Sequence, residues 1–219
     1  MAETRARVAA NPRTPAHVIA GLAFDQQLSV RSSVLSNPAT DPSVIRSMVG
    51  SLSHEPNRKD VVRMLIKAAK ASQTPADVLR RLAADRSLGV RLQVAKRAGL
   101  DETTQVRLST DPSVKVRHAL ASSRSLAEAA VARLTNDADD WVREALVSNE
   151  GVSTATLEEL ATADRSANVQ QTARAKLATR RSTARVGAER STPRRRRSPV
   201  RSAAQARRAI KVELRAQVS

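Results

Sequence analysis

Cysteine is absent from all 219 residues, which excludes disulfides, thiolate metal sites, iron–sulfur clusters and cysteine nucleophiles. Tyrosine is missing too, and Phe24 and Trp141 are the single members of their types. A core must therefore be assembled from Val, Leu, Ile and Ala, which suits small, closely stacked helices. Nothing is available to sandwich a base or a flat cofactor. His17, His54 and His118 lie far apart and share no metal-ligand spacing. No apolar run reaches the roughly 18 residues that a bilayer span needs, and Met-Ala-Glu-Thr-Arg at the N-terminus has no signal-peptide apolar core. A cytoplasmic protein with no membrane partner is the expectation.

Positive charge is what the chain has in excess, a formal +17, and it is unevenly placed. Residues 180–219 hold 13 Lys and Arg against Glu189 and Glu213, which is +11 of that total. Between Arg180 and Val200, Arg194, Arg195, Arg196 and Arg197 stand among Ser, Thr, Pro and Gly, a composition too polar and self-repelling to fold alone. From Ser202 to Val218, alanines with Ile210, Val212 and Leu214 alternate with Arg207 and Arg208 in the pattern of a basic amphipathic helix that needs a partner to form. Residues 179–219 are thus expected to be a disordered Arg-rich tail, helical at 202–218 when bound. Phosphorylation at Thr192-Pro193 or Ser198-Pro199 would lower its charge.

The rest of the sequence is periodic. Asp85, Asp111 and Asp137 follow one another at 26 residues, and six residues after each stands an arginine, Arg91, Arg117 and Arg143. Val90, Val116 and Val142 precede those arginines, and Val94, Leu120 and Leu146 follow them at three. Leu108, Leu134 and Leu160 close the units, as Leu82 closes the one before. The register runs back through Asp25, Val30, Arg31, Val34 and Met48, and less completely through Arg5, Val8, Ile19 and Leu22. The third unit is irregular, with Asn57 where aspartate is expected, and a seventh fades from Asp164 through Val169 and Ala173 to Leu177, with Gln170 in the arginine's place. A fixed period of this length means an array, because one short unit cannot bury its apolar face alone. An all-α solenoid over residues 1–178 follows, with six helix-turn-helix units and a partial seventh.

Asn11-Pro12-Arg13-Thr14-Pro15 and Asn37-Pro38-Ala39-Thr40-Asp41-Pro42 punctuate the first two units. Thr14 is placed to cap a second helix, with Pro15 at the first helical position, where no amide donor is needed. Ser87, Ser113 and Asp139 stand where caps of the first helices belong, and Ser125-Leu126-Ala127-Glu128 has the form of a capping box. Ser51 to Lys59, with Pro56, reads as a longer connection and the place for a break in curvature.

With Asn11-Pro12-Arg13-Thr14-Pro15 and the recurring Val-Arg-x-x-Val/Leu, residues 4–178 resemble the leucine-rich repeat variant family and, more broadly, the HEAT-like α-solenoids. The resemblance implies helical segments stacked in a right-handed superhelix and a binding scaffold; it implies no reaction, since fold does not settle function. Two features depart from it. The family's best-known form carries a cysteine-ligated iron–sulfur module, for which this chain has no ligand, and its units are slightly shorter. The longer period here implies ordinary helices in both positions of each unit.

The repeated Asp and Arg could be taken for acid–base machinery, but residues that recur once per unit serve each unit, and a carboxylate facing guanidinium groups of its own or the next repeat does that. Trp141 is expected to fill a gap between stacked units, since ligand platforms use several aromatics. His118 has no second ligand or nucleophile at a matching position and is expected to be solvated or to cap a helix. Arg81, Arg107 and Arg133 each precede a closing leucine at intervals of 26. On stacked helices about 8–10 Å apart they would form a row, with Arg46 and Arg80 close by, and the HEAT resemblance implies that such helices line the inner face. The alternative is an ordinary solvated helix face, and the column fails at Gly21, Ser47 and Glu159.

These observations lead to a protein with no catalytic residues and no cofactor that associates non-specifically with nucleic acid, on the nucleoid if the nucleic acid is DNA. The contacts would come from Arg46, Arg80, Arg81, Arg107 and Arg133 on the solenoid, and from Arg180, Arg181, Arg194, Arg195, Arg196, Arg197, Arg207 and Arg208 in the tail. The competing reading is a protein–protein scaffold for a peptide or acidic partner. A DNA glycosylase of the HEAT-like alkylpurine type works with several aromatic side chains around the lesion, which one Trp matches poorly.

Overall fold

The computed structural model describes residues 1–52 and 57–191, with side chains as far as Ala184. The chain divides into two compact units, Met1–Ala178 and Thr179–Ser219. Among the described residues the elements are all helices: α1 (Ala2–Ala10), α2 (Ala16–Leu22), α3 (Leu28–Ser36), α4 (Pro42–Ser51), α5 (Arg58–Lys70), α6 (Ala76–Leu82), α7 (Leu88–Ala95), α8 (Glu102–Ser109), α9 (Val114–Ala121), α10 (Glu128–Thr135), α11 (Asp140–Ser148), α12 (Thr154–Ala163) and α13 (Ala167–Ser191).

In the first unit these form a solenoid of helix pairs. The odd-numbered helices α1, α3, α5, α7, α9 and α11 pack each on the next, and the even-numbered α6, α8 and α10 do the same. The periodic apolar columns are the reason. Val30, Val90, Val116 and Val142 are fully buried, as are Val34, Val94, Leu120 and Leu146. The closing residues Met48, Leu82, Leu108, Leu134 and Leu160 are buried beneath the even helices. Val8 holds its column on α1 but lies 39% exposed. Both positions of every complete unit are α-helical, as the 26-residue period implied.

Helix capping departs from the sequence reading at Thr14, Ser87, Ser113 and Ser125. Pro15, whose ring has no acceptor to offer, is the N-cap of α2, and the Thr14 hydroxyl instead donates back to the Val8 carbonyl at 2.6 Å, tying the turn to α1. Thr40 and Thr74 repeat that bond to Val34 and Ala68. Ser87 and Ser113 stand at N-caps without capping through their side chains. Their own amides donate to the carboxylates of Asp85 and Asp111, two residues earlier. Ser125 and Glu128 form no capping box; Ala127 is the N-cap of α10, and its amide is taken by Gln105 Oε1, 2.7 Å away on α8. Asp139 does cap α11, through the Trp141 amide.

Glycine is required at two turns. Gly99, after α7, has φ +71°, a conformation a side chain would strain. At Gly151 a Cβ would stand 2.9 Å from the Arg124 carbonyl oxygen, so the turn after α11 can lie against the preceding unit's turn only without one.

In the second unit the described residues 179–191 are helical, Arg180 and Arg181 among them. The sequence there is Ala- and Arg-rich and has no proline before Pro193, which favours continuation of a helix already nucleated upstream. The expected connection at Pro56, the expected helix at 202–218, and Arg194, Arg195, Arg196, Arg197, Arg207 and Arg208 lie outside the described residues.

Candidate functional site

The repeated aspartates and arginines form a ladder between units. Arg91 donates through Nε and Nη2 to the two carboxylate oxygens of Asp111 at 2.7 and 3.1 Å. Arg117 does the same to Asp137 at 2.7 and 3.0 Å, and Arg143 to Asp164 at 2.7 and 2.9 Å. Arg5 and Asp25 repeat the pair at 2.6 and 3.2 Å. Each partner lies in the following unit. The third guanidinium nitrogen of Arg91, Arg117 and Arg143 reaches the backbone carbonyl of its own unit's aspartate, at 3.0, 2.8 and 2.7 Å. Gln170, in the arginine's place, keeps that carbonyl bond, to Asp164, while its Oε1 accepts from Arg174. Burial opposes ionisation of Asp164, but the Arg143 hydrogen bonds, the Ser166 amide and Arg165 outweigh it and hold the carboxyl below its ordinary range. These groups are fully occupied with one another, which leaves no free base or acid among them.

A second ladder was not legible as a column. Asn37 donates to the carbonyls of Ala9 and Asn11, and Asn149 to those of Ala121 and Ser123. At the equivalent place Arg97 reaches the carbonyls of Ala69 and Ala71, and Lys176 that of Ser148. Each long donor satisfies orphan carbonyls at the C-terminal end of the preceding odd helix. The signal available in the sequence is a residue with a side-chain N–H twelve places after the unit's first position, whatever its type.

Trp141 does not fill a gap between units. It is 46% exposed, and its ring stacks on His118 of the preceding unit at a centroid distance of 3.6 Å and an interplanar angle of 17°. His118 is accordingly half-buried rather than solvated.

The five solenoid arginines singled out for binding fall into two groups. Arg46, on α4, is held by Asp77 at 2.8 and 2.9 Å, and its hydrogen bonds keep the Asp77 carboxyl down at about 2. Arg80 pairs with Asp101 at 2.9 Å. Both therefore carry a compensating carboxylate. Arg81, Arg107 and Arg133 lie exposed on the consecutive helices α6, α8 and α10, and among the described residues none of the three has an ion pair. Arg133 spends one N–H on the Ala129 carbonyl of its own helix.

Three clefts of like construction follow one another along the C-terminal ends of the even helices. The first, about 350 Å³, is lined by Asp85, Arg91, Arg107 and Asp111. The second, about 660 Å³, is lined by Asp111, Arg117, Arg133 and Asp137. The third, about 200 Å³, has Asp137, Arg143 and Asp164 in the same roles, with Glu159 where the others have Arg107 and Arg133, and Arg165 beside it. Among the described residues no group of His, Asp and Glu is arranged to hold a metal ion, and no helix is long and apolar enough to cross a membrane.

Neither a family model nor a curated protein matches the chain. Among solved structures it is similar to one described as a leucine-rich repeat variant with a novel repetitive protein structural motif, at 21% identity and a TM-score of 0.34, over 80% of this chain and 81% of that one.

Proposed function

We propose that this is a non-enzymatic solenoid that associates with nucleic acid through the phosphate backbone and without base specificity. The observation that supports the reading is the state of charge around Arg81, Arg107 and Arg133. Asp77 and Asp101 are taken by Arg46 and Arg80, Asp111 by Arg91 and Asp137 by Arg117. The three guanidiniums on α6, α8 and α10 are left without carboxylates of their own, and phosphates would supply the missing anions. The 13 Lys and Arg of residues 180–219 add charge of the same sign. With Trp141 stacked on His118, no aromatic platform is offered to unpaired bases, so no preference for single strands is expected.

Salt titration of full-length protein against a short random-sequence duplex tests this. Each phosphate neutralised contributes a slope of about −0.9 in log K against log salt. Changing Arg81, Arg107 and Arg133 together to Ala should flatten the slope, and changing Arg194, Arg195, Arg196 and Arg197 to Gln should flatten it further. If the triple variant titrates like the wild type, the solenoid takes no part in binding.

The clefts favour a second reading, a scaffold for an extended acidic peptide, because they recur once per unit. Under that reading the triple variant would lose an acidic peptide while duplex binding stayed unchanged.

A further inference from the structure

Resting on the nucleic-acid reading, we infer that the clefts containing Arg107 and Arg133 are successive phosphate subsites, one per repeat, and that Glu159 closes the row. The two clefts are built from the same parts in the same order: an aspartate at the start of one unit, the ladder arginine, the arginine before the closing leucine, and the next unit's aspartate. All the aspartates in them are compensated. Asp85 has Arg58 at 3.6 Å, Asp111 has Arg91 at 2.7 Å and Asp137 has Arg117 at 2.7 Å. What remains in each cleft is one guanidinium, whose planar set of donors suits the oxygens of a phosphate.

The remaining lining decides between anions. Thr110 and Pro112 line both clefts, joined by Ala83 and Ala84 around Arg107 and by Ser109, Ala132, Asn136 and Ala138 around Arg133. No large apolar side chain offers a peptide the anchoring pocket from which peptide affinity usually comes. Charge and donors are what these clefts present, which fits a phosphodiester chain better than a polypeptide. In the third cleft Glu159 reverses the sign at the equivalent position and Arg165 stands beside it, so the two offset each other and no net cation is left for a phosphate.

The row can therefore be extended by one substitution. In the full chain, Glu159→Arg should tighten binding to a short random-sequence duplex and steepen the log K against log salt slope by about 0.9, the contribution of one further phosphate. Glu158→Arg makes the same charge change one residue earlier on α12, outside the cleft, and should move the slope much less. Glu159→Gln, which only removes the opposing charge, should give a smaller gain and guards against misfolding of the arginine variant. Arg107→Gln with Arg133→Gln should flatten the slope by about twice the single-phosphate value. Equal effects of Glu158→Arg and Glu159→Arg would overturn the subsite register and leave net charge as the sole cause. Displacement of the duplex by poly-glutamate as readily as by unlabelled duplex would overturn the phosphodiester assignment. A wild-type chain with no salt-sensitive duplex binding would instead overturn the nucleic-acid reading beneath it.

Discussion

The neutral imidazole is the form of His118 that the fold favours. Desolvation against its surroundings, including the Trp141 ring stacked on it, lowers its pKa below the ordinary value, and Asp139 opposes the shift. Below a pH of about 6.5 the unfolded chain takes up a proton here that the folded chain resists. The unfolded state then binds more protons, so this contribution to stability is complete above about 6.5 and is lost as pH falls toward the folded-state value. Trp141 is the chain's single tryptophan, which makes its emission a direct report on the pair. In the folded protein the emission should follow one proton with a midpoint below 6.5, and His118→Gln should remove that titration while leaving the far-ultraviolet dichroism intact. A midpoint above 6.5 would mean that Asp139, or attraction of the imidazolium to the indole face, outweighs burial.

Between elements, the joints are made by side chains that satisfy the preceding helix's carbonyls. Asn149 is buried and donates to both Ala121 and Ser123, while its Oδ1 accepts the Gly151 amide at 2.8 Å. Asn149→Ala should cost about 1–3 kcal/mol in denaturant unfolding, the scale of leaving buried carbonyls unsatisfied, and a change below 0.5 would mean that water replaces the amide. This joint also marks where sequence reading stops. The 26-residue register, the buried valines and closing leucines, and the Arg81, Arg107 and Arg133 column were legible because one residue type recurs in each. The carbonyl joint was not, because Asn37, Arg97, Asn149 and Lys176 share a function and no identity. Capping failed at Thr14 and Ser125 for a related reason: the local motif was present, but the hydroxyl of Thr14 and the amide of Ala127 found better-placed partners in α1 and α8. The partners of Arg46 and Arg80 lie 31 and 21 residues away, two different separations, so neither pairing recurs from unit to unit as a column.

Among its rungs the ion-pair ladder is wettest at Arg5 and driest at Arg143. The ladder arginine's side chain is 43% exposed at Arg5, 13% at Arg91, 14% at Arg117 and 3% at Arg143, with the carboxylate partners following the same trend. An exposed pair contributes little and is screened by salt, whereas a buried pair is costly to break from one side because the surviving charge stays buried. In a repeat array, stability is close to a sum of unit and interface contributions, so the two ends should not open alike. Native-state hydrogen exchange should find α1 opening by a small, salt-sensitive fluctuation, while the amides of α11 and residues 167–178 are protected nearly to the level of global unfolding. Arg143→Ala should reverse that order. It strands Asp164 and removes the donor to the Asp137 carbonyl, for a loss of about 3–5 kcal/mol, and the α11–α13 joint should then exchange faster than α1. Arg5→Ala should leave the protection of α11 unchanged. Equal protection at both ends of the wild-type array, or an Arg143→Ala variant as stable as the wild type, would show that apolar stacking of Val142, Leu146 and Leu160 holds the units together with no help from the ladder.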